Sequence, residues 1–332
     1  MPIIDSSYNP PFPFTMGHLS TVYSGLIRQV KGVSQIRERI TLEDGDFIDL
    51  DWSYTRNKQR PTANQLVIIL HGLEGNAQRP YVTGTAKVFN ENGFDACAVN
   101  FRGCSGEDNR LYRSYHSGVS QDLEQVIGHI IKNYDYQQIV LKGFSLGGNV
   151  MLKYLGETPQ VPDQIKAGVA VSVPCSLYHS MLSLHRFENT LYARRFRKHL
   201  IEKLRKKQER FPDKVTNEDL RKIKLLKDFD DVYTARAHGF NNGLDYYEKA
   251  SSLPLLRNIT IPVLLLNAKN DSFLSPECFP TGIAASHEHL FLEMPQAGGH
   301  VGFYEPDNVY YNEKRAVEFI NKVKAGVIWN KS

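Results

Sequence analysis

The chain has 332 residues, 41% of them apolar and 11% aromatic, enough for a substantial core in one large domain or two modest ones. Its net charge is only +4, and ten Lys/Arg against three acids between Arg194 and Lys214 place +7 in that stretch and −3 in the rest. So local a basic run excludes the general coat of a nucleic-acid binder.

Cys97, Cys104, Cys175 and Cys278 are scattered without a Cys-x-x-Cys, which argues against a disulfide scaffold or a zinc ribbon and for a reducing compartment. No run reaches the roughly 18 apolar residues of a membrane span. The opening MPIIDSSYNPPFPFTMGHLS is broken by prolines and lacks the basic start and apolar block of a secretory signal. The expectation is a soluble cytoplasmic protein with no integral membrane span.

In chain order, FIDLDWSY (47–54) alternates and reads as a strand. QLVIILHG (65–72) is a continuous apolar run, as a buried parallel strand would be. A helix follows over 80–93, with Pro80 at its start and Gly93 after its end. FDACAVNFRG (94–103) is a strand, 117–134 a helix, QIVLKG (138–143) a strand, 147–157 a helix and IKAGVAVSVP (165–174) a strand. From Cys175 to about Ser252 the pattern is charged and helical, with no convincing strand. Strands resume at 261–271 and 289–300, and a helix over 309–323 closes the series. The alternation predicts an α/β domain with a mostly parallel sheet. Residues 1–174 and 253–332 form its core, and 175–252 are a helical insertion.

GFSLG (143–147) fits G-x-S-x-G, which sets a serine on a sharp strand-to-helix turn above the sheet's carboxyl edge. Glycines on both sides remove Cβ atoms that would clash there. The serine needs a base, and the base an orienting carboxylate, in the chain order Ser, acid, His. Asp271 follows an apolar strand in LLLNAKNDSF, and His300 lies in the Gly-flanked loop QAGGHVGF. The rivals His287 and His289 fall at the wrong end of a strand, and Asp307 breaks the order. An oxyanion hole needs two N–H donors. The sequence offers the N–H of Leu146, after the nucleophile, and that of Leu73 in the loop LHGLEGN (70–76). His71 reads as a brace of that loop rather than as a catalytic partner of Glu74, and Cys104 as a small buried residue.

LHGLEG, NFRGCSGEDNRLYRSYHSG, LKGFSLGGNVMLKYLGE, KND and GGHVGF together resemble the α/β-hydrolase superfamily. More narrowly they resemble the YheT-like group of predicted esterases, which is related to the animal α/β-hydrolase-domain lipases and yeast medium-chain ester synthases. The likeness runs from about residue 10 to about residue 325. It implies Ser145 as nucleophile, Asp271 as charge-relay acid, His300 as base, and the helical insertion as a cap. Many relatives have two acids in a row where this chain has Asn270-Asp271, and the apolar N-terminal anchor of the animal relatives is not seen.

The expected activity is cleavage of carboxylic esters through an acyl-enzyme, with no metal or organic cofactor. An acyltransferase using the same triad and a non-catalytic receptor on the same fold are the alternatives. Met181, Leu182, Leu184 and Phe187 offer an acyl lining for short- to medium-chain esters, or else pack the insertion onto the core. The basic helix from Arg194 to Arg210 is either a solvated face or an attractor of anionic head groups or an acidic lipid surface. Arg110, Tyr112, Arg113 and His116 either line the site or brace loops beneath the cap, and the bracing role is the one expected. The expected partner is a small acyl ester or lipid, with no nucleic acid; the sequence carries no signal for oligomeric state.

Overall fold

The computed structural model describes residues 3–55 and 63–327. One sheet is built from β1 (Ile3–Ile4), β2 (Ile36–Thr41), β3 (Phe47–Ser53), β4 (Gln65–Leu70), β5 (Asp95–Asn100), β6 (Gln138–Phe144), β7 (Ile165–Val171), β8 (Val263–Leu266) and β9 (Leu290–Glu293). The strand order is β1-β9-β8-β7-β6-β4-β5-β3-β2. All neighbours from β1 to β5 are parallel, while β3 runs antiparallel to both β5 and β2. The helices are α1 (Gly17–Val22), α2 (Pro80–Glu91), α3 (Ser120–Asn133), α4 (Leu146–Glu157), α5 (Leu177–Leu184), α6 (Thr190–Arg210), α7 (Asn217–Lys222), α8 (Leu226–Phe229), α9 (Ala235–His238), α10 (Gly243–Ala250), α11 (Thr281–Ala284) and α12 (Tyr311–Lys324).

The layers follow from residue alternation. In β4, Leu66, Ile68 and Leu70 face α3 and α4, where Val126, Ile130 and Leu152 meet them. Val67 and Ile69 face the other way, toward Phe89 of α2 and Phe319 of α12. Each large side chain fully buried in this way contributes about 1.5–3 kcal/mol. α2 begins at Pro80, and Gly93 just beyond its end takes φ 84°, so both helix signals act as the sequence suggests.

Two strands end earlier than the sequence pattern has them. β8 and β9 cover four residues each, where that pattern continues to 271 and 300. Pro295 has no N–H for the ladder, and the Asn267 side chain turns to the Val173 and Cys278 carbonyls. Both chains thus leave the sheet at its carboxyl edge and carry Asp271 and His300 on loops. β2 is a further strand that the sequence pattern does not announce. Only Ile40 along it is buried, and the strand is tied to β3 by Arg37–Asp51 and Arg39–Asp49 ion pairs, each 2.7 Å.

Between β7 and β8 the chain runs through α5 to α10, with no strand among the described residues. This segment has an apolar cluster of its own, Leu204, Val215, Ile223, Phe229, Val232 and Tyr233. A second cluster joins Leu177 and Met181 of α5 to Tyr246 and Tyr247 of α10.

Candidate active site

Ser145 stands alone between β6 and α4, at φ 51° and ψ −119°. That conformation is strained, at a cost of about 1–3 kcal/mol, and persists only where the surroundings fix it. The Ser145 N–H donates to the Val171 carbonyl (2.9 Å) and its carbonyl accepts from Asn149 N–H (3.1 Å). The glycines make room. A Cβ on Gly143 would lie 2.6 Å from Gly147 O, and one on Gly148 would overlap the Val173 side chain.

The three residues read from the motif order meet. His300 Nε2 is 2.9 Å from Ser145 Oγ, and His300 Nδ1 is 2.8 Å from Asp271 Oδ2. With Nδ1–H donated to the carboxylate, Nε2 is left to accept the serine proton. Asp271 is 3% exposed, and its other oxygen accepts from Phe273 N–H at 3.0 Å. The Phe273 ring lies 4.3 Å from the His300 ring, centroid to centroid.

The histidine loop depends on an N-terminal segment in which the sequence pattern shows no element. His300 N–H donates to Thr21 Oγ1 of α1 at 2.8 Å. Gly299, at φ 59°, leaves no room for a Cβ, which would overlap Gly17 O. Asn270 joins the two segments, accepting from Gly299 N–H and donating to Thr15 O, each at 2.9 Å. An ionised acid at 270 would accept only and could not make the second bond.

The loop after β4 carries the second expected donor. Gly72 N–H bonds Tyr81 Oη (3.1 Å), Glu74 N–H bonds Tyr115 Oη (2.9 Å) and Gly75 N–H bonds Gly72 O (3.0 Å). Among the described residues the N–H groups of Leu73 and Leu146 have no such partner, and both residues line the same cavity as Ser145. Glu74 takes φ 54°, and its carboxylate accepts from Tyr115 Oη (2.7 Å) and Lys203 Nζ (3.0 Å). α6 is therefore tied to the loop that presents Leu73. His71 acts as a brace. Its Nε2 accepts from Phe101 N–H (3.2 Å), its Nδ1 donates to Gly72 O (2.7 Å), and burial pushes its pKa down to about 3.

The block NRLYRSYHSG holds loops in place, and its His116, unlike Arg110, Tyr112 and Arg113, also lines the cavity above Ser145. Asn109 Nδ2 donates to Asp46 (2.7 Å) and to Arg113 O (2.7 Å), while Lys207 of α6 donates to its Oδ1 (2.8 Å). Arg110 N–H donates to Asp46 at 2.8 Å, and Tyr112 packs edge-on against Tyr233. Arg113 lies 3.7 Å from Asp44, and the His116 ring packs 4.5 Å from that of His238. Cys104 is buried, and its thiol is pushed up to about 11, which leaves no thiolate near neutral pH.

Above Ser145 lies a cavity of about 330 Å³ walled by the sheet edge, α1 and the inserted helices. Met181 and Leu184 line it, and Met181 also packs against the α10 cluster. Leu182 and Phe187 do not: they are 46% and 96% exposed, because they lie on the outer side of α5 and in the turn beyond it. The basic run also departs from a simple solvated face. Arg195, Lys203, Lys206, Lys207 and Arg210 line the cavity, whereas Arg194, Arg197, Lys198 and Arg205 do not. Tyr192, Phe196, Leu200 and Leu204, each four residues apart, mark the cavity side of α6, and these cations flank that apolar stripe.

Among the described residues, no helix is long and apolar enough to cross a membrane. The sequence profile of the alpha/beta hydrolase fold family matches residues 65–307. The chain is 30% identical to the "Putative esterase YheT" of Escherichia coli (strain K12), over 90% of this chain and 87% of that protein. It is 28% identical to Phospholipase ABHD3 of Homo sapiens, over 92% of this chain and 75% of that protein. Its fold matches a solved esterase, Pf2001 of Pyrococcus furiosus, with a TM-score of 0.60 at 18% identity, over 91% of this chain and 97% of the other. The chain belongs to the α/β-hydrolase fold family, in the group with YheT and the animal ABHD proteins, among hydrolases of the esterase and lipase type.

Proposed function

We propose that this chain is a serine esterase that cleaves short- to medium-chain carboxylic esters through an acyl-enzyme on Ser145. The observation that carries this reading is the relay Asp271–His300–Ser145, with spacings of 2.8 and 2.9 Å, ending on a serine at φ 51°. Ser145 Oγ attacks the ester carbonyl while His300 Nε2 takes its proton. The oxyanion lies between the N–H groups of Leu73 and Leu146. The C–O bond then breaks, and the alcohol leaves with the proton from Nε2. Water attacks the acyl-enzyme, gives a proton to Nε2, and the carboxylic acid leaves as that proton returns to Ser145. Asp271 holds the imidazole in the tautomer both steps need.

Residues 175–252 act as the cap, and Met181 and Leu184 on its α5 receive the acyl chain. A cavity of about 330 Å³ is at the small end of ligand pockets, which supports short and medium chains over long ones. The four buried free cysteines support a reducing, cytoplasmic setting. The test is hydrolysis of p-nitrophenyl esters from acetate to palmitate by the wild type and by Ser145→Ala. Turnover that peaks below the long chains and vanishes in the variant is expected. Full activity in the variant would remove the serine from the mechanism.

A further inference from the structure

The cations on the cavity side of α6 are not equivalent. Lys203 is neutralised by Glu74 (3.0 Å), and Lys206 faces Asp108 at 3.6 Å. Lys207 donates to Asn109, and Arg210 to the carbonyls of Asn109 (2.6 Å) and Arg110 (2.8 Å). These four fasten the helix to the sheet-edge loops. Among the described residues the side chains of Arg195 and His199 make no hydrogen bond or ion pair, yet both line the cavity. They stand four residues apart, so they share one side of the helix. Of the acids on the wall, Glu74 and Asp108 face Lys203 and Lys206, and Asp230 is held by Tyr247 Oη and Thr234 Oγ1 at 2.7 Å each. Among the described residues no carboxylate lies within ion-pair distance of Arg195, and Asp230, held by two neutral hydroxyls, is the one wall acid without a cation on it.

This pair shares the cavity with Ser145 and His300, Arg195 exposed at its mouth and His199 half-buried. Tyr192 and Phe196 of α6 pack against Phe273, with ring centroids 4.8 and 6.3 Å apart, and Phe273 packs on His300. Arg195 and His199 flank Phe196, within about one 5.4 Å helical turn of it. The cavity is thus amphipathic. Leu73, Met181, Leu184 and Phe273 supply apolar wall near the triad, and Arg195 supplies an unspent planar donor fork at its edge.

Resting on the esterase reading above, we infer that the site selects esters whose alcohol portion carries an anionic group, a phosphate or a carboxylate. The acyl chain lies on the apolar wall, and Arg195, assisted by His199, binds the anion. A guanidinium offers two parallel N–H donors to either anion, which an ammonium cannot match. The reaction remains ester hydrolysis, and the anion takes no part in bond making or breaking.

The test uses three octanoyl monoesters below their aggregation concentrations: 1-octanoylglycerol, 1-octanoylglycerol 3-phosphate and the octanoyl ester of glyceric acid. The readout is the kcat/KM ratio of each anionic ester to the neutral one. For the wild type, at least one anionic ester is preferred about tenfold or more, and the two arms separate phosphate from carboxylate. Arg195→Ala removes most of that ratio, Arg195→Lys keeps part of it, and Arg194→Ala, outside the cavity, leaves it as it was. Added NaCl lowers the ratio. A wild-type ratio near one, or a ratio that Arg195→Ala does not change, overturns the inference. So does a preference that appears only on anionic vesicles, since it would belong to a surface and not to the pocket. If the neutral ester is not cleaved in a Ser145-dependent way, it is the esterase reading that fails. Thermal melts of the Arg195 variants separate lost recognition from lost fold.

Discussion

Gly147→Ala tests how the two oxyanion donors are held in register. Gly147 lies in the first turn of α4, against the end of β4. A Cβ there would stand 2.5 Å from His71 O and 2.6 Å from Leu70 O. Both are main-chain atoms, so no side chain can swing away. To reach ordinary contact, the start of α4 and the end of β4 must part by about 0.8 Å. Leu146 rides on α4, and Leu73 follows β4 by three residues, so that parting opens the oxyanion hole. Misplacing one donor costs about 10²–10³ in kcat, and overpacking costs about 1–3 kcal/mol of stability. The assay is kcat and KM on the best p-nitrophenyl ester, with urea unfolding alongside. Gly128→Ala is the control. Gly128 lies in α3, where an added methyl would meet no neighbour within 4 Å, and the substitution should add about 0.5–1 kcal/mol without changing kcat. A folded Gly147→Ala that keeps kcat within about threefold would refute the reasoning.

Lys203→Met leaves the Glu74 carboxylate, whose side chain is 6% exposed, without its cation beside the Leu73 loop. We expect kcat to fall more than KM rises, and Glu74→Gln to recover part of the loss in the double variant; equal losses in single and double variants would contradict this. Lys142 is fully buried, donates to Asn312 O (3.0 Å) and Oδ1 (3.1 Å), and burial pulls its pKa from 10.5 down to about 7. Between those two pH values only the unfolded chain holds the proton, so this group makes stability rise with pH, by at most about 1.4 kcal/mol per unit. Urea unfolding should show wild-type stability gaining on Lys142→Met from pH 7 to 10, and parallel pH profiles would contradict it. Leu184→Phe fills part of the apolar wall and should move the preferred p-nitrophenyl ester to a shorter chain, while an unchanged optimum would place the acyl chain elsewhere.

The order of strands and helices around Ser145 is legible in the sequence because its signals are local. A glycine pattern after an apolar run states its own geometry, and strand ends followed by an Asp or a Gly-flanked His point to one sheet edge. The supports are not legible, because they join distant parts of the chain. Thr21 reaches His300 across 279 positions, and Asn270 reaches Thr15 across 255. β2 carries charge on three successive residues, Arg37, Glu38 and Arg39, and gains its place from ion pairs with β3, which no single-segment pattern reveals. On α5, apolar character misleads: Met181 and Leu184 face the cavity but Leu182 faces outward, since a three- to four-residue period divides the run, and Phe187 lies exposed in the turn beyond the helix. On α6, Lys203, Lys206, Lys207 and Arg210 turn inward beside an apolar stripe because acceptors on the loop at 108–111 and on Glu74 receive them.

The most direct test of the acyl-enzyme account is intact-mass analysis after reaction with an alkyl fluorophosphonate, followed by peptide mapping. The account predicts one adduct, located on Ser145, absent from Ser145→Ala and formed far more slowly in His300→Ala. An adduct on another residue, or undiminished labelling of Ser145→Ala, would contradict it.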